Sequence, residues 1–214
     1  MIENAKENSQ RVELKDRIIE TASEAFTTHG IKSITMDDIA ASLGISKRTL
    51  YEVFQDKESL LTQCILKRQE EMNAFLAETL ANSKNVLEVI LVCYQRSIET
   101  FHRTNKRFFE DIKKYPKVHS LLKNYRERHS DSTIEFFKMG IKQGIFRDDV
   151  NFAIVNLLVH EQLDLLMNTD ICNKYSFLEV YEAIMFTYIR GISTEKGAKV
   201  LEDFITEYRK QRIH

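Results

Sequence analysis

A short stretch near the N-terminus combines a glycine with a run of hydroxyl-bearing and cationic side chains. It reads TMDDIAASLGISKRTLYEVF and extends from Thr35 to Phe54. No Asp or Glu occurs between Ile39 and Tyr51, although the whole chain has 31 basic and 32 acidic residues. Serine, threonine, lysine and arginine are side chains that bind phosphate oxygens, and carboxylates beside them would repel such a ligand. The stretch is therefore a candidate anion-binding surface.

The apolar residues from Ile39 to Val53 predict two short helices that meet at Gly44, where glycine permits a tight turn. Thr35 with Asp38 is the pattern of a capping box before the first helix, and Ser46 can cap the second. Two helices joined in this way are a helix-turn-helix, whose second helix can enter the major groove of DNA. The residues left on the outer side of that helix are Ser46, Lys47, Arg48, Thr49 and Tyr51. The alternative is an ordinary helical corner with a solvated cationic turn.

Composition and periodicity predict an all-α chain. Only six glycines and one proline occur in 214 residues, which favours long helices and short connections. Apolar residues recur every three or four positions and predict about nine to ten helices in total, including a single helix over 117–143. We expect an N-terminal three-helix helix-turn-helix domain over residues 1–57. A C-terminal helical bundle would follow over residues 58–214.

Charge and cysteine content narrow the class of protein. The net charge of −1 gives no overall attraction to nucleic acid or membrane. Residues 1–60 carry eight Lys and Arg but eleven Asp and Glu. We therefore expect the positive surface to be confined to the second helix of the helix-turn-helix and to the start of the fourth helix of the chain. Three widely spaced cysteines, a polar N-terminus and short apolar runs predict a cytoplasmic chain without a membrane span.

The run from Arg17 to Leu66 resembles the N-terminal domain of the tetracycline-repressor-like (TetR/AcrR) transcriptional regulators. The matching pieces are an A…F..G first helix, then T..DIA..LG.S..TLY..F, then K..LL. The resemblance implies a regulator that binds a double-stranded DNA operator. Arg48 stands where many members have glycine, and Gln55 stands where many have proline, so Arg48 suggests an additional base or phosphate contact.

The resemblance also implies a role for individual residues of this chain. Thr35, Tyr51 and Lys57 would contact the phosphate backbone, while Lys47, Arg48 and Thr49 would face the groove. It further implies a small-molecule effector that binds in the C-terminal part and moves the two DNA-binding heads out of register.

The C-terminal part is rich in aromatic residues, since 18 of the 21 Phe and Tyr residues follow residue 60. One interpretation is plain core filling. The other is a largely apolar pocket with a few polar groups, suited to a small apolar or aromatic effector. The candidate effector-binding residues are Tyr94, Phe101, Phe109, Tyr125, His129 and His160.

The helices over 151–168 and 175–192 carry more apolar surface than a small bundle needs. Two helices from each of two subunits would form a four-helix interface, and a twofold dimer matches a palindromic operator. The candidate dimerisation residues are Val155, Leu158, Leu163, Leu166, Val180, Tyr181, Ile184 and Tyr188. The alternative is that these faces pack within their own subunit.

No pattern of residues predicts an enzyme. His160, Glu161 and Asp164 imitate the start of H-E-x-x-H, but Asp replaces the second histidine and no third ligand is near, so we expect no metal and no cofactor. The sequence therefore predicts a homodimeric, ligand-responsive regulator, and more specifically a repressor. The alternative is a helical protein-interaction module in which the helix-turn-helix is a docking surface without specific DNA binding.

Overall fold

The computed structural model describes residues 2–168, 171 and 174–212, and every regular element in these ranges is a helix. The prediction of an all-α chain is confirmed. The helices are α1 Ile2–His29, α2 Met36–Leu43, α3 Lys47–Val53, α4 Lys57–Asn82, α5 Val86–Arg103, α6 Lys106–Ile112, α7 Pro116–Arg128, α8 Ser130–Lys142, α9 Phe152–Asn168, α10 Phe177–Ile192 and α11 Glu195–Arg212.

The described ranges contain eleven helices, more than the nine to ten that the sequence predicts, because the single helix predicted over 117–143 is two helices. The break lies at His129, whose backbone angles of φ −96° and ψ 5° leave the helical region. Its carbonyl oxygen accepts hydrogen bonds from the N–H and the hydroxyl of Thr133, at 3.0 and 2.9 Å. Neither glycine nor proline occurs at this break, and the helical spacing of apolar residues continues across it. The sequence therefore predicted one helix instead of two.

The first compact unit contains the residues up to Ala74 together with Thr100–Tyr125. Its core joins buried side chains of the first four helices to Phe108 of α6 and Val118 of α7. The end of α1 is Gly30, at φ +86°, whose N–H donates to the carbonyl of Phe26 at 3.0 Å. That left-handed glycine turns the chain so that Ile31 enters the same core.

The second compact unit contains Phe75–Glu99 and the residues from Arg126 onward. The fully buried ring of Tyr94 lies at its centre, 5.5 Å from the ring of Tyr181, 5.1 Å from that of Phe186 and 5.7 Å from that of Tyr208. These partners come from α10 and α11, about a hundred residues further along the chain. The aromatic residues of this unit therefore form a packed core.

The two compact units do not meet at the expected domain boundary between residues 57 and 58. Helices α4, α5 and α7 each contribute residues to both units, and α6 lies wholly in the first. The carboxylate of Asp111 at the end of α6 accepts the N–H of Lys32 at 2.8 Å, and the N–H of Asn105 donates to the carbonyl of Thr27 at 2.7 Å. These bonds fix α6 to the end of α1 and explain why the first unit extends beyond residue 57.

No helix in the described ranges is both long enough and apolar enough to cross a membrane.

Candidate nucleic-acid interface

The predicted helix-turn-helix is formed by α2 and α3. Gly44 ends α2 at φ +65° and ψ 27°, and the next N–H, that of Ile45, donates to the carbonyl of Ala40 at 3.0 Å. Ile39 and Leu50 are buried, and Leu43, Ile45 and Val53 pack against the same core. The sequence pattern therefore identifies the correct inner face, and α3 presents its opposite face to solvent.

Thr35 forms a complete capping box at the start of α2. Its Oγ1 accepts the N–H of Asp38 at 3.1 Å, while its own N–H and hydroxyl donate to Asp38 Oδ2 at 2.8 and 2.7 Å. The hydrogen bonds from Thr35 hold the pKa of the Asp38 carboxyl below its ordinary value. A phosphate contact by the Thr35 hydroxyl therefore requires it to donate its one proton to the phosphate instead of to Asp38.

Ser46 and Thr49 are joined to each other at the start of α3. The Oγ of Ser46 accepts the N–H of Thr49 at 3.0 Å and lies 2.8 Å from the hydroxyl oxygen of Thr49. This cap satisfies one of the N–H groups that a helix start leaves free. Both residues thus have a structural role beside the predicted contact with DNA.

Lys47 and Arg48 are exposed on α3, and each is paired with a carboxylate. Lys47 Nζ lies 2.9 Å from Asp37 on α2, and Arg48 Nε lies 2.9 Å from Glu52 one turn further on α3. The hydrogen bond to Asp37 raises the pKa of the Lys47 ammonium above its ordinary value. Exposed pairs of this kind are weak because water screens them, so a phosphate can displace the carboxylates at little cost.

Asp37 and Glu52 are the functional candidates that sequence reasoning missed. They flank the acid-free interval from Ile39 to Tyr51, and both carboxylates reach back to its cations. The spacing of Arg48 and Glu52 by four residues could have predicted one pair. The pair between Asp37 and Lys47 crosses the turn and depends on the angle between the two helices.

Tyr51 and Lys57 differ in how accessible their polar groups are. Tyr51 is 43% exposed, and its hydroxyl has no hydrogen-bond partner in the described part of the chain. Lys57 Nζ donates to the carbonyl of Ile34 and lies 5.7 Å from the centre of the Phe26 ring. Burial lowers the pKa of this ammonium, against the opposing effect of nearby carboxylates. Tyr51 is thus free to contact a phosphate, whereas Lys57 is partly committed to the protein.

The six predicted effector-binding residues belong to both compact units. Phe101, Phe109 and Tyr125 lie in the first, where the rings of Phe101 and Phe109 stack at 5.4 Å and the Tyr125 hydroxyl donates to Asn73. Tyr94 belongs to the core of the second unit. Its hydroxyl donates to Glu182 at 3.0 Å, and burial raises the pKa of this phenol far above its usual range.

The two predicted effector-binding histidines lie in the second unit, His129 exposed at the start of α8 and His160 half-buried on α9. The side chain of Asp164, which shares the predicted helix face with His160, is outside the described part. Among the described residues, no three His, Cys, Asp or Glu side chains are grouped as a metal site would need.

The predicted dimerisation residues differ in how deeply they are buried. Val155 and Tyr181 pack against the core of their own unit. Leu163, Val180, Ile184 and Tyr188 are half-buried, and the side chain of Leu166 lies outside the described part. Leu158 is exposed, and it is accompanied by two residues that the sequence analysis missed, Ile154 and Leu157, at 54% and 59% exposure.

The comparison with protein families identifies the helix-turn-helix region. Residues 18–64 match the model described as bacterial regulatory proteins, tetR family. This range contains α2, α3 and the capping residues Thr35 and Ser46, and it nearly coincides with the stretch whose motifs resemble the family.

Curated relatives support the same assignment. The chain is 23% identical over 160 residues to the HTH-type transcriptional repressor KstR2 of Mycobacterium tuberculosis, covering 72% of this chain and 78% of the relative. It is 37% identical over 78 residues to an HTH-type transcriptional regulator of Staphylococcus aureus, covering 36% of this chain and 37% of that one.

Solved structures share the fold. A transcriptional regulator from Saccharomonospora viridis in complex with choline matches with a TM-score of 0.68 at 18% identity, covering 86% of this chain and all of the other. The TetR-family regulator from Cytophaga hutchinsonii matches with a TM-score of 0.67 at 14% identity, covering 87% and 98%. The chain therefore resembles tetR-family transcriptional regulators in sequence over residues 18–64, and it shares the fold of the solved structures over most of its length.

Proposed function

We propose that this protein is a cytoplasmic, ligand-responsive repressor that binds a palindromic operator as a homodimer and is released by a small apolar or aromatic effector. The observation that carries the proposal is the exposed face of α3, where Lys47, Arg48 and Tyr51 stand together on a family helix-turn-helix. The relative named KstR2 is a repressor, which favours repression over activation here.

The three side chains suit different parts of a DNA duplex. Arg48, whose side chain is 89% exposed, has the planar donor fork that reads guanine in the major groove. The free hydroxyl of Tyr51 suits a phosphate, because it is a neutral donor on a rigid ring. Lys47 lies 6.0 Å from the centre of the Tyr51 ring, so the same phosphate group is within reach of both.

The small number of cations makes a dimer necessary for affinity. Each phosphate neutralised by Lys or Arg adds to binding through counterion release. Residues 1–60 nevertheless carry a net charge of −3, and the two cations on α3 are held by Asp37 and Glu52. One head would bind weakly, and two heads linked by a dimer interface would bind two half-sites together.

The exposed apolar side chains of α9 are the best-supported dimer surface. Ile154, Leu157 and Leu158 lie within five residues and are all about half exposed or more. Contiguous exposed apolar residues mark protein interaction sites. A twofold dimer through this helix would bring the same three residues of both subunits together.

Effector release follows from unequal binding to two states. A ligand shifts the dimer away from the operator only if it binds the released conformation more tightly. Among the solved structures, KstR2 is named a ketosteroid transcriptional regulator, and the Saccharomonospora protein was solved in complex with choline. The effector of this chain must therefore be argued from its own residues.

The test is fluorescence anisotropy on the DNA upstream of the protein's own gene, at stated salt. Lys47→Ala and Tyr51→Ala should each weaken binding about 5- to 30-fold, since a lost contact to a charged group costs about 1–2 kcal/mol. Lys138→Ala, which removes an exposed, ion-paired lysine from α8, is the matched control and should bind like wild type. Equal binding by all four proteins would instead favour the protein-docking module.

A further inference from the structure

The N-terminal half of α1 lies beside one flank of α3, and the two helices form a groove within the first compact unit. The groove is lined by three residues of α1 and three of α3, which are Gln10, Arg11, Leu14, Thr49, Glu52 and Val53. Leu14 and Val53 also pack against the core of this unit, which holds the two helices together. Gln10 and Arg11 precede the family match, which begins at residue 18. The groove therefore brings residues outside the family pattern next to α3.

The groove lies on the flank of α3 opposite the other candidate phosphate contacts. Successive residues of an α-helix are about 100° apart, so Thr49 and Tyr51 point to nearly opposite sides of α3. Lys47 pairs with Asp37 of α2 and lies 6.0 Å from the centre of the Tyr51 ring, so Lys47 shares the flank of Tyr51. The major groove of DNA is about 12 Å wide, and a phosphate strand borders it on each side. A helix in that groove therefore has phosphates on both flanks, and α1 accompanies the second one.

Arg11 supplies the positive charge of this groove. It is exposed, and its guanidinium has no hydrogen-bond or ion-pair partner among the side chains that the structure describes. Glu52 is the one acid of the six lining residues, and Arg48 already holds its carboxylate at 2.9 Å. A phosphate must displace a carboxylate to reach Lys47 or Arg48. It reaches Arg11 without that competition.

The acids of α1 point away from Arg11. The described side chains of α1 include four acids, all exposed, which are Glu13, Asp16, Glu20 and Glu24. At about 100° per residue, each of them lies roughly 140° or more around the helix from Arg11. The acids that make the first 60 residues negative are thus turned away from the flank of α3, and the cation is turned towards it. This separation of charge suits an anionic partner beside α3.

We propose that Arg11 contacts a phosphate of the DNA strand that passes on the flank of α3 opposite Tyr51. The guanidinium donates two parallel hydrogen bonds to one phosphate group, the geometry for which arginine is suited. Such a contact reads no base, but it fixes the position of α3 between the two strands. The inference rests on the proposed DNA-binding function and deepens it, because each head then contacts both strands that border the major groove.

The experiment is fluorescence anisotropy of the full chain with random-sequence duplex over a series of salt concentrations, since a phosphate contact needs no particular sequence. Each neutralised phosphate adds about 0.9 to the steepness of log affinity against log salt. Arg11→Gln should therefore reduce that slope by about one for each bound head and weaken binding at least about fivefold. Arg11→Lys, which keeps the positive charge, should retain the slope of wild type.

The matched control is Arg17→Gln. Arg17 is an exposed arginine of the same helix that does not line the groove. It lies about 120° around α1 from Arg11. Both glutamine variants remove one positive charge, so an effect of net charge alone would reduce both slopes equally. Thermal unfolding of both variants should match wild type, because glutamine and arginine have similar helix propensities and both positions are exposed.

The outcomes separate this contact from the proposed repressor function. An unchanged slope in Arg11→Gln, or an equal loss in Arg17→Gln, would overturn the contact and leave DNA binding in place. A reduced slope in Arg11→Gln alone would support it even where no operator is found, and then only the specific repressor function fails. A wild-type chain that binds no duplex at low salt would overturn both.

Discussion

Two exposed helices of this protein present opposite kinds of surface. On α3 the exposed side chains are polar, and the cations Lys47 and Arg48 are each held by a carboxylate of the same chain. On α9 the exposed side chains Ile154, Leu157 and Leu158 are apolar. A polar surface with exchangeable ion pairs suits a wet, charged partner such as DNA, whereas an apolar surface suits a dry contact with protein. We therefore expect a different partner for each helix.

The largest effect is expected on the α9 surface. Leu157→Glu/Leu158→Glu should raise the dimer dissociation constant at least about 100-fold, because burying each leucine contributes about 1.5–3 kcal/mol. Sedimentation velocity over a concentration series measures this change. The matched control is Leu76→Glu, which places a charge on an exposed leucine of α4, 39% exposed, and should leave the dimer intact. Dissociation of the dimer in both variants, or in neither, would show that α9 does not form the dimer interface.

A second prediction compares two capping boxes of the same design, one in each compact unit. Thr35→Ala and Ser176→Ala each remove a hydroxyl that caps a helix and should each destabilise the protein by about 1 kcal/mol. Urea unfolding measures this cost. Only Thr35→Ala should also weaken DNA binding, since only α2 belongs to the helix-turn-helix. A DNA defect in Ser176→Ala would show that general instability, rather than contact, explains both.

The capping boxes also predict how stability depends on pH. Hydrogen bonds from Thr35 hold the folded pKa of Asp38 below its ordinary value of 3.8. A carboxyl with a lowered folded pKa contributes stability that is present above pH 3.8 and lost as the pH falls through the folded value. The difference in the free energy of unfolding between wild type and Thr35→Ala should therefore be largest at neutral pH and should become smaller in acid. A constant difference would contradict this assignment.

The smallest effect concerns the carboxylates beside the cations. Asp37→Asn and Glu52→Gln should each strengthen binding to any duplex about two- to fivefold, because DNA must displace these weak, exposed ion pairs. Glu20→Gln is the control, since Glu20 pairs with Lys67 at 2.7 Å elsewhere in the same unit. Anisotropy with random-sequence DNA measures the change. Unaltered binding in both variants would mean that these pairs are not broken by DNA.

The local features of the first unit could be predicted from the sequence because they depend on neighbours along the chain. Gly30 and Gly44 end helices, and Thr35 and Ser46 start them, through contacts within a few residues. The inner face of the helix-turn-helix follows from the same short spacing.

The second unit was less predictable because its contacts join distant residues. Tyr94 meets rings about a hundred residues away, so the sequence could not show that it fills a core. Helical periodicity identifies the apolar positions of α9 but not which of them pack inside, so the sequence analysis named Val155, which is in the core, and missed Ile154, which is exposed.

The most direct test of DNA recognition is selection of genomic fragments by the purified protein at physiological salt, followed by sequencing of the bound DNA. The account predicts strong enrichment of a few fragments that share an inverted repeat, with half-sites about one helical turn or a multiple of it apart. Tyr51→Ala should lose that enrichment. Bound fragments that are no different from the random input would contradict the account, and the helix-turn-helix would then be a surface for another protein.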